Sequence, residues 1–450
     1  MAHAVRMTKT GLALAVLLSS LGTSVANVAL PTLSHQLGAT FQAVQWVVLA
    51  YLLAGTVLLV SVGRLGDIIG RGRLLRAGTA LFTVASVVCA VAPSLSVLVV
   101  ARVGQGLGAA VMLALSMALI GSTVPREKTG SAMGLLGTMS AVGTAGGPTL
   151  GGLTIAVVGW RGIFVVTAVL GVVVLLLIRA LSSSERTPTR FDSLGTVLLA
   201  ITLTAYALAM TVGHTVLLLV AAVVAAGVFV VVESRTTAPL VRLSALHDPA
   251  LAMSFLVSTV VMSTLVVGPF YLSRSLNLEP AAVGLAMSAG PVVSALTGIP
   301  AGRVVDRIGA ATMTVVGLTA MVVGCLALAL MPKTLLGYLV PLVVTTCGYA
   351  QFQAANNTTV MAGVSADQRG VVSGMLNLSR NLGLITGTSV MGAVFALGAS
   401  THDVTTASGD AVATGMHVTF AVAAALIVVA VGIAVVKQVA QAKQALKRPA

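Results

Sequence analysis

Charge is scarce in this chain. Of its 450 residues only 8% are Asp, Glu, Lys or Arg, against roughly 25% in an ordinary soluble domain. Hydrophobic residues make up 57%. A soluble core cannot absorb that much apolar surface, so the solvent is lipid, and there is no room for a sizeable soluble domain. Aromatic residues are 4% of the chain, too few for an aromatic cage around a cation. Cys89, Cys325 and Cys347 are the three cysteines, all in apolar runs without metal-ligand spacing, and they read as small buried hydrophobes. His35, His214, His402 and His417 are scattered and do not resemble a metal site. The G-x-x-x-x-G-K-[ST] phosphate loop is missing, so ATP drive is not implied. No catalytic constellation is visible. The sequence therefore predicts a protein that is not an enzyme and carries neither metal nor cofactor.

What is present is a succession of apolar runs, each long enough, at about 20 residues, to cross a bilayer. Fourteen spans are predicted, at 10–31, 43–62, 75–93, 95–121, 131–156, 162–180, 193–212, 214–232, 249–272, 281–301, 311–331, 336–362, 371–397 and 416–436. The first follows Arg6 and Lys9, as in a signal peptide, but it is too long for an h-region and contains Asn27 and Pro31, so it is read as retained. With the N-terminus in the cytoplasm, outer loops hold only Arg161, Arg274 and Lys333, spans hold Arg102 and Arg380, and inner loops, helix ends and tails hold the other 20 of the 25 Lys and Arg. That is the positive-inside pattern, which sets both termini in the cytoplasm, and the expected location is a bacterial cytoplasmic (inner) membrane. The net charge of +14 thus fixes topology and meets anionic headgroups. Nucleic acid is not an expected partner. The basic C-terminal KQVAQAKQALKR reads as a solvated or membrane-surface end.

Two patterns recur at nearly one offset. Gly63-Arg64-Leu65-Gly66-Asp67-Ile68-Ile69-Gly70 and Gly302-Arg303-Val304-Val305-Asp306-Arg307-Ile308-Gly309 both read G-R-x-x-D-x-x-G, 239 residues apart. Gly134, Gly143 and Gly147 recur as Gly374, Gly383 and Gly387, 240 positions later. A duplicated bundle in a membrane protein is the usual build of a secondary transporter. Spans 1–6 pair with spans 9–14, leaving spans 7 and 8 as an inserted hairpin between polar, Pro-containing joints. The expected domains are 1–181, a six-helix bundle; 182–248, a linker with two inserted helices; and 249–450, a second six-helix bundle with a cytoplasmic tail.

Five segments in order carry a resemblance: ANVALP at 26–31, QWVVLAYLL at 45–53, GRLGDIIGRGR at 63–73, ARVGQGLGAA at 101–110 and GLLGTMSAVGTAGGPTLGG at 134–152. Together they resemble the major facilitator superfamily in its fourteen-helix drug:proton antiporter branch. The resemblance implies an all-α integral membrane fold of two pseudo-symmetric six-helix bundles plus two inserted helices. It also implies proton-coupled efflux of small amphipathic compounds by alternating access. The expected partners are a small-molecule substrate, protons and the bilayer, with no nucleotide, and the expected state is a monomer. The alternative is a permease or symporter for a neutral or anionic metabolite.

The residues themselves leave several roles open. Gly63, Gly66 and Gly70 would let a short loop turn tightly. Asp67 can pair with arginine or a helix N-terminus, so Asp67, Arg64, Asp306 and Arg303 read either as a charged latch or as a basic turn that sets topology. In helix 5, Gly143, Gly147 and Gly151 form a close-packing stripe and Pro148 invites a kink. The stripe is either a static packing face or a moving seam, and its second-half copy has Thr388 in place of the proline.

Arg102 and Arg380 lie inside spans, where an arginine costs at least about 2.5 kcal/mol unless it meets a polar partner. The resemblance gives Arg102 a part in proton coupling, and the alternative is a structural anchor. The branch usually carries an aspartate in helix 1 where this chain has Gly22. Asp67, Glu127, Glu185, Asp192, Glu233, Asp248, Asp306 and Asp367 are placed in inner loops or helix ends, and Glu279, Asp403 and Asp410 outside, so no carboxylate is expected deep in a span. That argues against permanent cations as main substrates. The polar groups left to line a cavity are Thr23, Asn27 and Gln105, with Met112 as an adaptable wall, and Gln351, Gln353, Asn356, Asn357 and Arg380. The run YAQFQAANNTT could instead be interhelical glue. Tyr51, Phe270 and Tyr271 are possible wall residues, and Trp46 and Trp160 read as interfacial anchors.

Overall fold

The computed structural model describes residues 2–123, 129–179, 181, 192–211, 215–236, 248–361, 369–400 and 404–446. Among them are fourteen α-helices and no strand. The first eight are α1 (Ala2–Leu37), α2 (Phe41–Ile69), α3 (Arg71–Ala90), α4 (Leu95–Thr123), α5 (Thr129–Val158), α6 (Trp160–Ile178), α7 (Ser193–Thr211) and α8 (Thr215–Arg235). The rest are α9 (Pro249–Phe270), α10 (Pro280–Ile308), α11 (Ala310–Leu330), α12 (Leu335–Met361), α13 (Arg369–Gly398) and α14 (Gly409–Leu446). Each expected span falls on one helix. Thirteen are long and apolar enough to cross a membrane, and α10 contributes a shorter apolar stretch, Pro280–Ser294. Many hydroxyls within these helices are satisfied by their own backbone, as an apolar surrounding favours: Thr56 donates to Leu52 O at 2.6 Å and Thr79 to Leu75 O at 2.8 Å.

The chain forms two compact units. One comprises Met1–Val241 with Glu279–Ser288, the other Arg242–Leu278 with Ala289–Ala450. Inside the first, α1 packs on α5, α4 and α6, α2 and α3 pack on α4, and α3 on α6. Inside the second, α9 packs on α13 and α14, and α11 on α12 and α14. The pairs α1–α5 and α9–α13, α3–α4 and α11–α12, and α3–α6 and α11–α14 correspond, as a duplicated bundle requires. Among the described residues the close α2–α4 packing has no equal in the second half, where α10 carries Pro291 and Pro300.

The inserted hairpin, α7 and α8, belongs to the first unit and is tied to α2 at two points. Trp46 Nε1 donates to Thr211 Oγ1 at 3.2 Å, and the Ser61 and Thr196 hydroxyls lie 3.1 Å apart. α8 is the least enclosed helix, with 17% of its apolar window buried against 78% for α1. Its remaining surface is the face presented to lipid.

The duplicated G-R-x-x-D-x-x-G pattern is mostly helix, which corrects the expectation of a loop. Gly63, Arg64, Gly66 and Asp67 lie in the last turns of α2, and only Gly70 breaks the chain before α3. Gly70 has φ +100° and Gly309, the same position in the second copy, has φ +94°. Side chains rarely adopt such angles, so the final glycine is the one that permits the turn. Trp160 departs from expectation too. It is 1% exposed and donates from Nε1 to Gln36 Oε1 at 2.9 Å, beneath the Arg161 guanidinium. It pins α6 to the end of α1 rather than facing headgroups.

Candidate functional site

Arg102 is the centre of the first unit's polar chemistry. It sits on α4, fully buried, and reaches three helices. Nε donates to Val47 O of α2 at 2.7 Å, Nη2 to Gly22 O of α1 at 3.0 Å, and Nη1 to Gln105 Oε1, one turn along α4, at 2.8 Å. The Tyr51 ring of α2 covers the guanidinium at 4.2 Å. Hydrogen bonds to a charged group contribute about 1.5–3 kcal/mol each, so three of them offset the cost of an arginine at this depth. A second tier holds the first. Gln105 Nε2 donates to Ser86 Oγ of α3 at 2.7 Å, and the Tyr51 hydroxyl donates to Ser19 O of α1 at 2.7 Å. No carboxylate of the described residues pairs with Arg102.

The position where the resembled branch carries an aspartate is filled. A β-carbon on Gly22 would stand 2.8 Å from the Tyr51 hydroxyl and 3.2 Å from its ring. Thus Gly22 faces Tyr51, and its carbonyl serves Arg102. Close packing of this kind needs glycine for space. Gly106, next to Gln105, has none either, because a β-carbon there would overlap Tyr51 O.

The remaining first-half candidates divide. Thr23 is half-buried, with its hydroxyl 3.4 Å from Ser19 O. Asn27 is fully buried and spends its amide nitrogen on Thr23 O and Ser24 O at 3.1 and 3.2 Å, while its Oδ1 has no partner. Met112 is fully buried in helix packing. Asp67 holds Arg71, the first residue of α3, across the Gly70 break, with Oδ1 3.0 Å from Nη2 and 3.1 Å from Nε. Arg64 is half-buried and Arg303 exposed, while the side chain of Asp306 lies outside the described set.

In α5, the stripe of Gly143, Gly147 and Gly151 meets α1 within the first unit. A β-carbon would overlap Leu17 O at Gly143 and the Ser24 side chain at Gly147, and would lie 3.0 Å from Val25 O at Gly151. Gly383 and Gly387 repeat this in α13 against Phe255 O and Thr259 O of α9. The residue standing in for Pro148, Thr388, donates back to Leu384 O at 2.9 Å. A second face of α5 was not legible. Gly152 lies against Gly284, where a β-carbon would be 2.7 Å from its Cα, and Thr149 bonds Ser288.

In the second unit the polar run of α12 splits by face. Asn356, 1% exposed, donates to Ser254 Oγ at 2.8 Å and Ala250 O at 3.3 Å of α9, so it joins helices, and its Oδ1 has no partner. Asn357, the next residue, turns elsewhere and accepts a short hydrogen bond from Arg380 Nη2 of α13. Gln353 and Tyr349, four and eight residues earlier, share that face, hydrogen-bond to each other, and Tyr349 lies within electrostatic reach of Arg380. Tyr349 opens the run YAQFQAANNTT but is not among the individual cavity candidates read from the sequence, although its spacing to Gln353 and Asn357 is helical. Gln351 is half-buried, with a buried Oε1 that has no partner. Glu233 was also missed as a buried acid. It is 2% exposed near the end of α8, and a β-carbon on Gly195 would be 2.9 Å from its Oε2 and 2.5 Å from Asp192 Oδ2. Glu127, Glu185, Asp367, Asp403, His214 and His402 lie outside the described residues.

Residues 12–388 match the family model of the Major Facilitator Superfamily. The drug efflux pump JefA of Mycobacterium tuberculosis is 33% identical over 412 residues, covering 87% of this chain and 80% of its own. The multidrug resistance protein Stp of the same species is 32% identical over 389 residues, covering 83% and 72%. The riboflavin transporter RibZ of Clostridioides difficile is 29% identical, covering 85% and 86%. Among solved structures, a bacterial homolog of the human lysosomal transporter Spinster, inward-facing and unoccupied, superposes with a TM-score of 0.71 at 15% identity, covering 96% of each chain. With two corresponding helical units, paired copies of the loop-end pattern and this match across most of its length, the chain belongs to the Major Facilitator Superfamily of membrane transporters.

Proposed function

We propose that this transporter exports small amphipathic compounds, drugs or metabolites, in exchange for protons by alternating access. It would do so in the bacterial inner membrane, with both termini cytoplasmic. The observation that carries this reading is the Arg102 cluster, an enclosed cation tying α1, α2 and α4 together through neutral acceptors. Held this way, Arg102 joins the three helices at one buried point. Relative movement of these three helices would break and remake those bonds, and the coupling of proton movement to transport is assigned to that step. One unit of pH gradient supplies about 1.4 kcal/mol per proton, enough for about tenfold accumulation. Asp67 with Arg64, and Asp306 with Arg303, are assigned to gating. Within the second unit, Gln351, Gln353, Asn357 and Arg380 are assigned to the polar lining of the substrate path. The relatives that are drug efflux pumps favour export.

The experiment is flux in proteoliposomes for a panel of cationic, neutral and anionic amphiphiles, with and without an imposed pH gradient. Gradient-dependent movement of the neutral or anionic members is expected. Efficient export of a quaternary ammonium dye, with the others ignored, would sink the charge preference. A second reading, a permease or symporter for a neutral or anionic metabolite, is favoured by the lack of a carboxylate partner at Arg102 or Arg380 among the described residues and by the similarity to RibZ. Under it, substrate would move with the proton or indifferently to the gradient.

A further inference from the structure

The two membrane arginines are held differently, and the difference assigns them different work. Arg102 has three hydrogen bonds, an aromatic cover and no exposed surface. It is closed to any ligand. Arg380 is half-buried, and among the described residues its one hydrogen bond goes to the neutral amide of Asn357. A guanidinium carries five N–H donors in a planar fork, so most of that fork is uncommitted. None of the described carboxylates pairs with it. It lies 11 residues along α13 from Arg369, about 16 Å into the helix at 1.5 Å per residue, where an uncompensated cation is costly.

What faces it is also ordered. Tyr349, Gln353 and Asn357 recur every four residues on one side of α12, a ladder about 12 Å long. Among the described residues the helices α12 and α13 pack only lightly against one another, and the Arg380–Asn357 hydrogen bond links them. Asn356, one residue away, is turned into α9, so the ladder is a separate polar face.

We infer that Arg380, with Asn357, Gln353 and Tyr349, is the subsite for a carboxylate on the substrate. The planar fork takes the two carboxylate oxygens side by side, and the amide and phenol of Gln353 and Tyr349 serve neutral polar groups further along the same molecule. This rests on the transport reading above and names the substrate class for it, an amphipathic compound with one carboxylate at the end of an apolar body.

The test separates the two claims. Binding of 2-naphthoate and of its isosteric amide, 2-naphthamide, is measured calorimetrically on the purified detergent-solubilised protein, while flux of both is followed in proteoliposomes. The carboxylate should bind at least about tenfold more tightly than the amide. Arg380→Gln should abolish that preference by weakening acid binding far more than amide binding, and Arg380→Lys, which keeps the charge but not the fork, should retain part of it. Each variant is first checked for a monodisperse elution profile, and if Arg380→Gln fails to fold, Arg380→Lys and Asn357→Ala decide through the same ratio. Equal binding of acid and amide to the wild type, no binding of either, or an undiminished preference in Arg380→Gln would overturn the subsite. Binding with the expected preference but no flux in either direction would leave the subsite standing and overturn the transport reading of this path.

Discussion

Gly22 has room for a hydrogen and little more. A β-carbon there meets the Tyr51 hydroxyl at 2.8 Å, and that hydroxyl is committed to Ser19 O. Gly22→Ala should therefore lower thermal stability, by about 1–3 kcal/mol as overpacking usually does. Gly22→Asp, which restores the acid of the resembled branch, should be worse alone and should improve when combined with Tyr51→Ala. Melting curves of the four proteins form a double-mutant cycle, and strict additivity would mean that residues 22 and 51 do not compete for one space. Asp67 gives the opposite case. Its pair with Arg71 is 42% and 32% exposed, and an exposed i,i+4 pair contributes under about 1 kcal/mol. Asp67→Asn should barely move the melting temperature yet reduce flux several-fold. Wild-type flux from this variant would discard the latch.

At the scale of the helix, the α1–α5 contact is set by three missing side chains. Gly147→Leu would push a branched side chain into Ser24 and hold the two helices apart, so loss of monodisperse protein and of flux is expected. Pro148→Ala adds no bulk. It should leave the protein folded and change the transport rate if the kink takes part in the cycle, and normal flux from both variants would reduce the stripe to inert packing. Most elements were legible beforehand because a span of about 20 apolar residues has few alternatives, and each of the fourteen spans lies on a helix. The ends were less so. A glycine inside G-R-x-x-D-x-x-G reads as a turn, but lipid leaves no water to satisfy a free backbone, so α2 continues through Gly63 and Gly66 until Gly70 forces the break. The site was half legible. An arginine in an apolar run announces itself, whereas its partners at Gly22 and Val47 are carbonyls, which every residue has and no sequence marks. Likewise the run YAQFQAANNTT announces polarity, but the division between Asn356 and Asn357 depends on how α12 is rotated.

For the whole molecule, the duplication supplies two units with matching internal packing and unequal chemistry. One holds a fully buried cation and the other a half-buried one. The hairpin between the repeats has a place in this arrangement that follows from its two ties to α2. Trp46 meets Thr211 and Ser61 meets Thr196, so the same 15-residue interval separates the ties on both helices, about 22 Å of antiparallel contact. Two anchors that far apart prevent both sliding and pivoting. α7 and α8 are thus a spectator mount, rigid with respect to α2 and turned to lipid on the α8 side, where Val223 is 69% exposed. A fluorophore on Val223→Cys should leave flux within about twofold of wild type, since nothing packs on that surface. Its emission would then report the working cycle of the first unit from a position that takes no part in it.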